Sequence, residues 1–228
     1  MRPAIYLFDI DGTIVTTGGA GRRAIERAFD RLHLRSDACA GISFGGMTDR
    51  AIARAGLTAI GAPSSERDID DFLAVYLEIL VEEVEIAREY HVHRGIEQAV
   101  EAALARDVCA VGLGTGNIRE GARLKLARVG LFERFSFGGF GCDHEDRAEL
   151  LRVGASRGAS MLGVPAAECR VVVIGDTPKD IAAAKAIGAE SIAVATGFFS
   201  SEALVACNPT RVFPDLAAPG ALDALLGD

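Results

Sequence analysis

Four aspartates and one threonine stand at or just behind the ends of short apolar runs. Asp9-Ile10-Asp11-Gly12-Thr13 follows Ala4-Ile5-Tyr6-Leu7-Phe8, and Gly114-Thr115-Gly116-Asn117 comes shortly after Val108-Cys109-Ala110-Val111. Gly175-Asp176-Thr177-Pro178-Lys179-Asp180 follows Val171-Val172-Val173-Ile174. If the runs are parallel strands of one sheet, all three sets emerge at its carboxyl edge, where ligands bind in open α/β sheets. One solvated carboxylate is unremarkable. Four gathered at one edge (Asp9, Asp11, Asp176, Asp180) repel one another unless a cation sits among them. An all-oxygen set suits a hard divalent ion, and magnesium where phosphate is also bound.

The elements that must position these residues are legible as alternating patterns. Each run is short, rich in branched residues and closed by Gly, Asp or Thr, as buried parallel strands are. Ser191 to Ala195 is a fourth candidate, and Phe135 to Phe140 a glycine-weakened fifth. Helical patterns at Ile96–Ala105 and Pro178–Ile187, the latter closed by Gly188, fill two of the gaps. Strands alternating with helices predict an α/β fold with a parallel sheet covered on both faces. Residues 15–91 read differently, with three helices and no convincing strand. These are Ala20–Leu32, Thr48–Ala59 and a long one over Ser65–Tyr90 with Ser65-Glu66-Arg67-Asp68 as its capping box. Glycines at Thr16-Thr17-Gly18-Gly19 and at His91-Val92-His93-Arg94-Gly95 mark flexible joins.

The chain has 228 residues, half of them hydrophobic and a quarter charged, with a formal net charge of −8. That mix excludes a disordered chain. The acidic balance argues against nucleic acid or an anionic membrane as partner. No apolar stretch is long enough to span a membrane, and the N-terminal apolar run is too short for a signal peptide. A cytoplasmic protein, monomeric or homodimeric, is expected. The five cysteines include no Cys-x-x-Cys pair and read as free thiols.

Asp9-x-Asp11-Gly12-Thr13, then Thr115, then Gly175-Asp176-x-x-x-Asp180 resemble, in order, the motifs of the haloacid dehalogenase superfamily. The resemblance covers nearly the whole chain and is closest to its phosphatases with a helical cap, similar to phosphoglycolate phosphatases. It implies a Rossmann-like core of residues 1–14 and 92–228 with an inserted all-helical cap over 15–91. It also implies a magnesium-dependent phosphatase that acts on a small phosphorylated metabolite through an aspartyl-phosphate. By resemblance Asp9 is the nucleophile and Asp11 the general acid and base, its backbone carbonyl also on the metal. Gly12 permits the turn, and Thr115 hydrogen-bonds a phosphoryl oxygen. The amides of Gly116 and Asn117 favour an anion at a helix start. Asp176 ligates magnesium, with Asp180 beside it. The family also needs a cation between the second and third motifs. Arg147, opening a helix behind a strand, is the choice over Lys125, whose plainer reading is a solvated helix position.

A sugar-phosphate mutase of the same superfamily is the alternative, and a receiver-like phosphoacceptor module a further one. A dehalogenase is disfavoured by the presence of Asp11, and a phosphonate hydrolase by the absence of lysine from 15–91. The Gly41-Ile42-Ser43-Phe44-Gly45 match to a nucleophile elbow lacks the strand that motif requires. The loop Phe44–Arg50 is the expected substrate contact, with Arg50 or Arg22 suited to a carboxylate on the leaving group; helix capping is its plainer role.

Overall fold

The computed structural model describes residues 2–227. The chain opens with β1 (Ala4–Phe8) and β2 (Val15–Thr17) and enters α1 (Ala20–His33), α2 (Asp49–Ala59) and α3 (Glu66–Ile86). It returns through β3 (Tyr90–Val92), α4 (Ile96–Leu104), β4 (Cys109–Gly114), α5 (Arg119–Ala127) and β5 (Phe137–Gly139). The rest alternates: α6 (Arg147–Leu162), β6 (Arg170–Gly175), α7 (Pro178–Ala186), β7 (Glu190–Val194), α8 (Ser201–Ala206), β8 (Arg211–Phe213) and α9 (Ala221–Leu226).

Six strands form one sheet in the order β5-β4-β1-β6-β7-β8, and every neighbouring pair is parallel. The α/β fold with a parallel sheet is thus as expected. Strand β1 is wholly buried and sends alternate side chains to opposite faces. Tyr6 and Phe8 pack with α4, α5 and α9, while Ile5 and Leu7 pack with α6 and α7. The chain leaves β1 toward β4 on one side and later reaches β6 on the other, so the strand order reverses at β1. The carboxyl ends of β1, β4 and β6 therefore converge on a switch point.

Helices α1, α2 and α3 bury a separate apolar cluster built on Ile25, Phe29, Ile52, Leu57, Phe72 and Tyr76. Phe29 and Phe72 meet at a centroid distance of 4.3 Å. Gly56 lets α2 lie against Phe29, whose ring fills the space a side chain would need. Ser65 and Asp68 form the expected capping box at the start of α3. The segment 15–91 is not all helical, however. Val15–Thr17 pairs antiparallel with Tyr90–Val92, Thr16 facing His91, so the expected flexible joins are a two-stranded ribbon. Three-residue strands leave too short a pattern for alternation to register, although Val, Thr and Tyr all favour extended backbone. Strand β8 was not anticipated either. No described helix is long and apolar enough to cross a membrane.

Candidate active site

Asp9 continues β1, its amide donating to the Ile174 carbonyl of β6 at 2.9 Å. The chain then turns sharply. Ile10 O accepts from the amides of Thr13, Ile14 and Val15, and Gly12 adopts φ 82° with its amide on Val15 O. A side chain at Gly12 would collide with the Asp176 carboxylate, so the turn both needs the left-handed backbone and leaves no room for a Cβ. Thr13 Oγ1 donates to Asp176 Oδ1 at 3.0 Å, which locks the first motif to the third. On the far side Gly197 leaves no room for a Cβ against the same carboxylate, and Thr196 Oγ1 donates to Gly12 O at 2.5 Å. The Thr196-Gly197 loop was missed in the sequence, although it too stands just beyond a strand, β7.

Asp180 completes a capping box with Thr177 at the start of α7, accepting on Oδ2 from the Thr177 amide and hydroxyl. Its other oxygen, Oδ1, accepts from Arg147 Nε at 2.8 Å. Arg147 opens α6 behind β5 and is buried. Its Nη2 lies 3.0 Å from Asp9 Oδ2 and also pairs with Asp180, yet it is aligned for a hydrogen bond with neither. One oxygen each from Asp9, Asp176 and Asp180 lies within 4.8 Å of the others, and all three residues are buried. Burial, reinforced by repulsion from Asp180 and Asp11 and opposed by Arg147, pushes the Asp9 carboxyl up to about 6. Burial and the same crowding hold Asp176 well above the usual carboxylate range. A hard divalent cation between them would neutralise that repulsion, so this donor set fits one.

Asp11 lies outside this cluster. Its Oδ2 accepts from Lys125 Nζ at 2.6 Å and from Asn117 Nδ2 at 2.8 Å. Burial alone would raise its pKa, but Lys125 and the hydrogen bonds from Lys125, Asn117 and Thr17 outweigh that and lower it. Lys125 is buried, not the solvated helix residue its position on α5 suggested. Helical position says only which face a residue occupies; the carboxylate that accepts this ammonium comes from 114 residues away in the chain. Thr115 follows β4, its amide on Gly139 O at 3.0 Å, and its hydroxyl accepts from Asn117 Nδ2 at 2.9 Å.

The three-helix block closes over this edge. Asp49 N donates to Gly116 O at 2.8 Å, and Ile118 N donates back to Asp49 Oδ2 at 2.9 Å. Asp49, not singled out within the loop Phe44–Arg50, so caps α5 from the other side of the seam, where the local N-cap residue Ile118 offers no side-chain acceptor. A Cβ at Gly116 would strike the Met47 carbonyl, and one at Gly46 would reach 2.7 Å from Thr177 Oγ1. The loop Phe44–Arg50, read as a substrate contact, lies against Gly116 and Thr177, but its cation does not. Arg50 pairs with Glu66 and Asp70, and Arg22 with Glu26 and Ile42 O while stacking on Phe44.

A family profile for haloacid dehalogenase-like hydrolases matches residues 3–188. The chain belongs to this family. Among solved structures, it is similar to a predicted phosphatase from Clostridium acetobutylicum, at 16% identity and TM-score 0.70 with 100% of both chains covered. It is similar also to a predicted phosphoglycolate phosphatase from Haemophilus somnus, at 17% identity and TM-score 0.67, covering 99% of this chain and 97% of that one. A Bacteroides vulgatus protein assigned as a β-phosphoglucomutase matches at 18% identity and TM-score 0.65, covering 100% of this chain and 91% of that one. No curated protein matches. These likenesses establish the shared fold, and the family makes the chain a hydrolase.

Proposed function

We propose that the chain is a magnesium-dependent phosphatase of small phosphate monoesters, with the helical block as its cap. The observation that carries this reading is Arg147. A buried guanidinium pairs with both Asp9 and Asp180 beside a buried three-carboxylate cluster. A phosphoryl oxygen is an acceptor of the charge and geometry that such a guanidinium takes.

In this reading Asp9 attacks phosphorus and carries the phosphoryl group as an aspartyl-phosphate. Asp11, two residues on, serves the leaving oxygen and then the hydrolytic water. Thr115 and the Gly116-Asn117 turn face the phosphoryl oxygens. Asp9 and Asp176 would hold the magnesium ion, with the Asp11 carbonyl; Asp180, whose oxygens serve Arg147 and Thr177, stands behind them. When bound, the ion offsets the repulsion between an anionic nucleophile and an anionic substrate. A seam sealed at Gly46 and Gly116 favours a small phosphorylated metabolite over a phosphoprotein or a nucleic acid end.

Purified protein should release phosphate from p-nitrophenyl phosphate and from one member of a phosphorylated-metabolite panel, only with magnesium present. Label from that substrate should be trapped on Asp9 by acid quench. Transfer of the phosphoryl group to a second sugar hydroxyl, without release, would instead favour the mutase reading that the fold also admits. No turnover and no label on any panel member would refute both.

A further inference from the structure

The proposed chemistry uses Arg147 and leaves Lys125 without a task. A buried ammonium is costly unless it is paired and hydrogen-bonded, so its partners show what it is there for. Lys125 Nζ reaches Asp11 Oδ2 and Asn117 Oδ1, each at 2.6 Å. With Oδ1 committed to the ammonium, the Asn117 amide can present only its NH2 group to the site. That group donates to Asp11 Oδ2 at 2.8 Å and to Thr115 Oγ1 at 2.9 Å. The Asn117 backbone amide also donates to Thr115 Oγ1, at 3.3 Å. Both lone pairs of the threonine hydroxyl are therefore occupied, and its proton is left to donate outward. Asp11 Oδ1 receives Thr17 Oγ1 at 3.4 Å, a weak contact from β2. The strong restraints on the Asp11 carboxylate thus come from Lys125 and from the amide that Lys125 orients.

The space around the ammonium is kept for it. Gly21, in the first turn of α1, passes so close that a Cβ there would sit 3.1 Å from Lys125 Nζ. Tyr90 Oη donates to the Lys125 carbonyl at 2.7 Å, tying the residue's backbone to β3. The two buried cations consequently divide the carboxylates. Arg147 takes Asp9 and Asp180, and Lys125 takes Asp11.

We infer that Lys125 is a positioning residue that fixes Asp11 toward the leaving oxygen and, through Asn117, aims the Thr115 hydroxyl at the phosphoryl group. This rests on the phosphatase reading. The test compares Lys125→Met with wild type, alone and in an Asp11→Asn background, on p-nitrophenyl phosphate and on the best alkyl phosphate of the panel. In the wild-type background kcat on the alkyl phosphate should fall about a hundredfold. The loss on p-nitrophenyl phosphate, whose leaving group needs little protonation, should be several-fold smaller. In the Asp11→Asn background the same substitution should cost about tenfold or less, because Asp11 is already disabled and only the effect through Asn117 on Thr115 remains. The magnesium concentration for half-maximal rate should not move.

Equal losses in both backgrounds, or equal losses on both substrates, would overturn the inference, as would a wild-type-like Lys125→Met. Should Lys125→Met fail to fold, Lys125→Gln, which keeps a donor and a comparable length, carries the same comparison. If the wild type itself turns over no phosphate ester, the phosphatase reading has failed instead, and the two failures are thereby distinguished.

Discussion

The parallel-sheet core and the three-helix block handle charge in opposite ways. In the core, Asp9, Asp176, Asp180, Lys125 and Arg147 are all buried, and the ion pairs of Asp9, Asp180, Lys125 and Arg147 run across the sheet edge. In the block, Arg22, Arg27 and Arg31 pair on the surface with Glu26, Glu82 and Glu78, and Arg50 is held by Glu66 and Asp70. Exposed pairs contribute little each, whereas a buried charge without its partner is costly. The difference is what the proposed division of labour expects, with the chemistry in the core and closure from the block. Most of its arginines pair with its own carboxylates, buried Glu83 taking Arg23 and Arg27, while Arg54 crosses the seam to Glu145 at 2.7 Å.

The contrast is broken most severely by Asp9→Asn. An amide is a poor nucleophile, so turnover should fall by about a thousandfold or more in a steady-state assay. Near-normal rates would remove the covalent step. Asp176→Ala should cost on the order of a hundredfold and raise the magnesium requirement, read from a metal titration; excess chelator should silence the wild type. An unchanged metal dependence would take Asp176 out of the cation site.

Asp49 sharpens the comparison because it is, with Glu83, a buried carboxylate of the block, and it faces the core. Burial, opposed by Lys125 and the Ile118 amide, pushes it up to about 6. A carboxyl raised in the folded state favours folding while protonated, and that contribution is lost as pH rises through about 6. Asp49→Asn keeps an acceptor for Ile118 N without the charge. It should stabilise the protein by roughly 1–3 kcal/mol at pH 8, with the advantage gone below pH about 4. Thermal melts at both pH values decide this, and a difference independent of pH would contradict it.

Smaller effects are expected at the seam and beyond it. Arg54→Ala removes the ion pair between block and core and should raise KM about fivefold with kcat nearly unchanged, since closure becomes less favourable. A change confined to kcat would disprove that role. Arg50→Ala should alter KM less than about twofold on any substrate, because its guanidinium already faces Glu66 and Asp70. A selective KM loss on a carboxylate-bearing ester would return Arg50 to the site.

Strand β1, the starts of α6 and α7 and the capping box of α3 were legible because each depends on residues close together in the sequence. Apolar run, cap and punctuation lie within one element, and the three motifs inherit their common edge from the parallel topology. Lys125 was legible only as the rival of Arg147 for the catalytic cation; its pairing with Asp11, and the places of Asp49 and Thr17, were not legible. Nothing local to α5 distinguishes a lysine that meets Asp11 from one that meets water. Asp49 reads as an ordinary first-turn acid of α2. The ribbon of β2 and β3 escaped notice because its two halves are separated by the whole helical block.

By itself the sequence determined the α/β class, the order of the motifs and the carboxylates that they deliver, because periodicity and strand ends are properties of neighbouring residues. Only the tertiary structure decided which cation meets which carboxylate, that the block's arginines are committed elsewhere, and that Asp49 caps a helix of the core. Those outcomes depend on where distant segments come to lie. An ion pair is fixed by distance and burial in space, and spacing along the chain encodes neither.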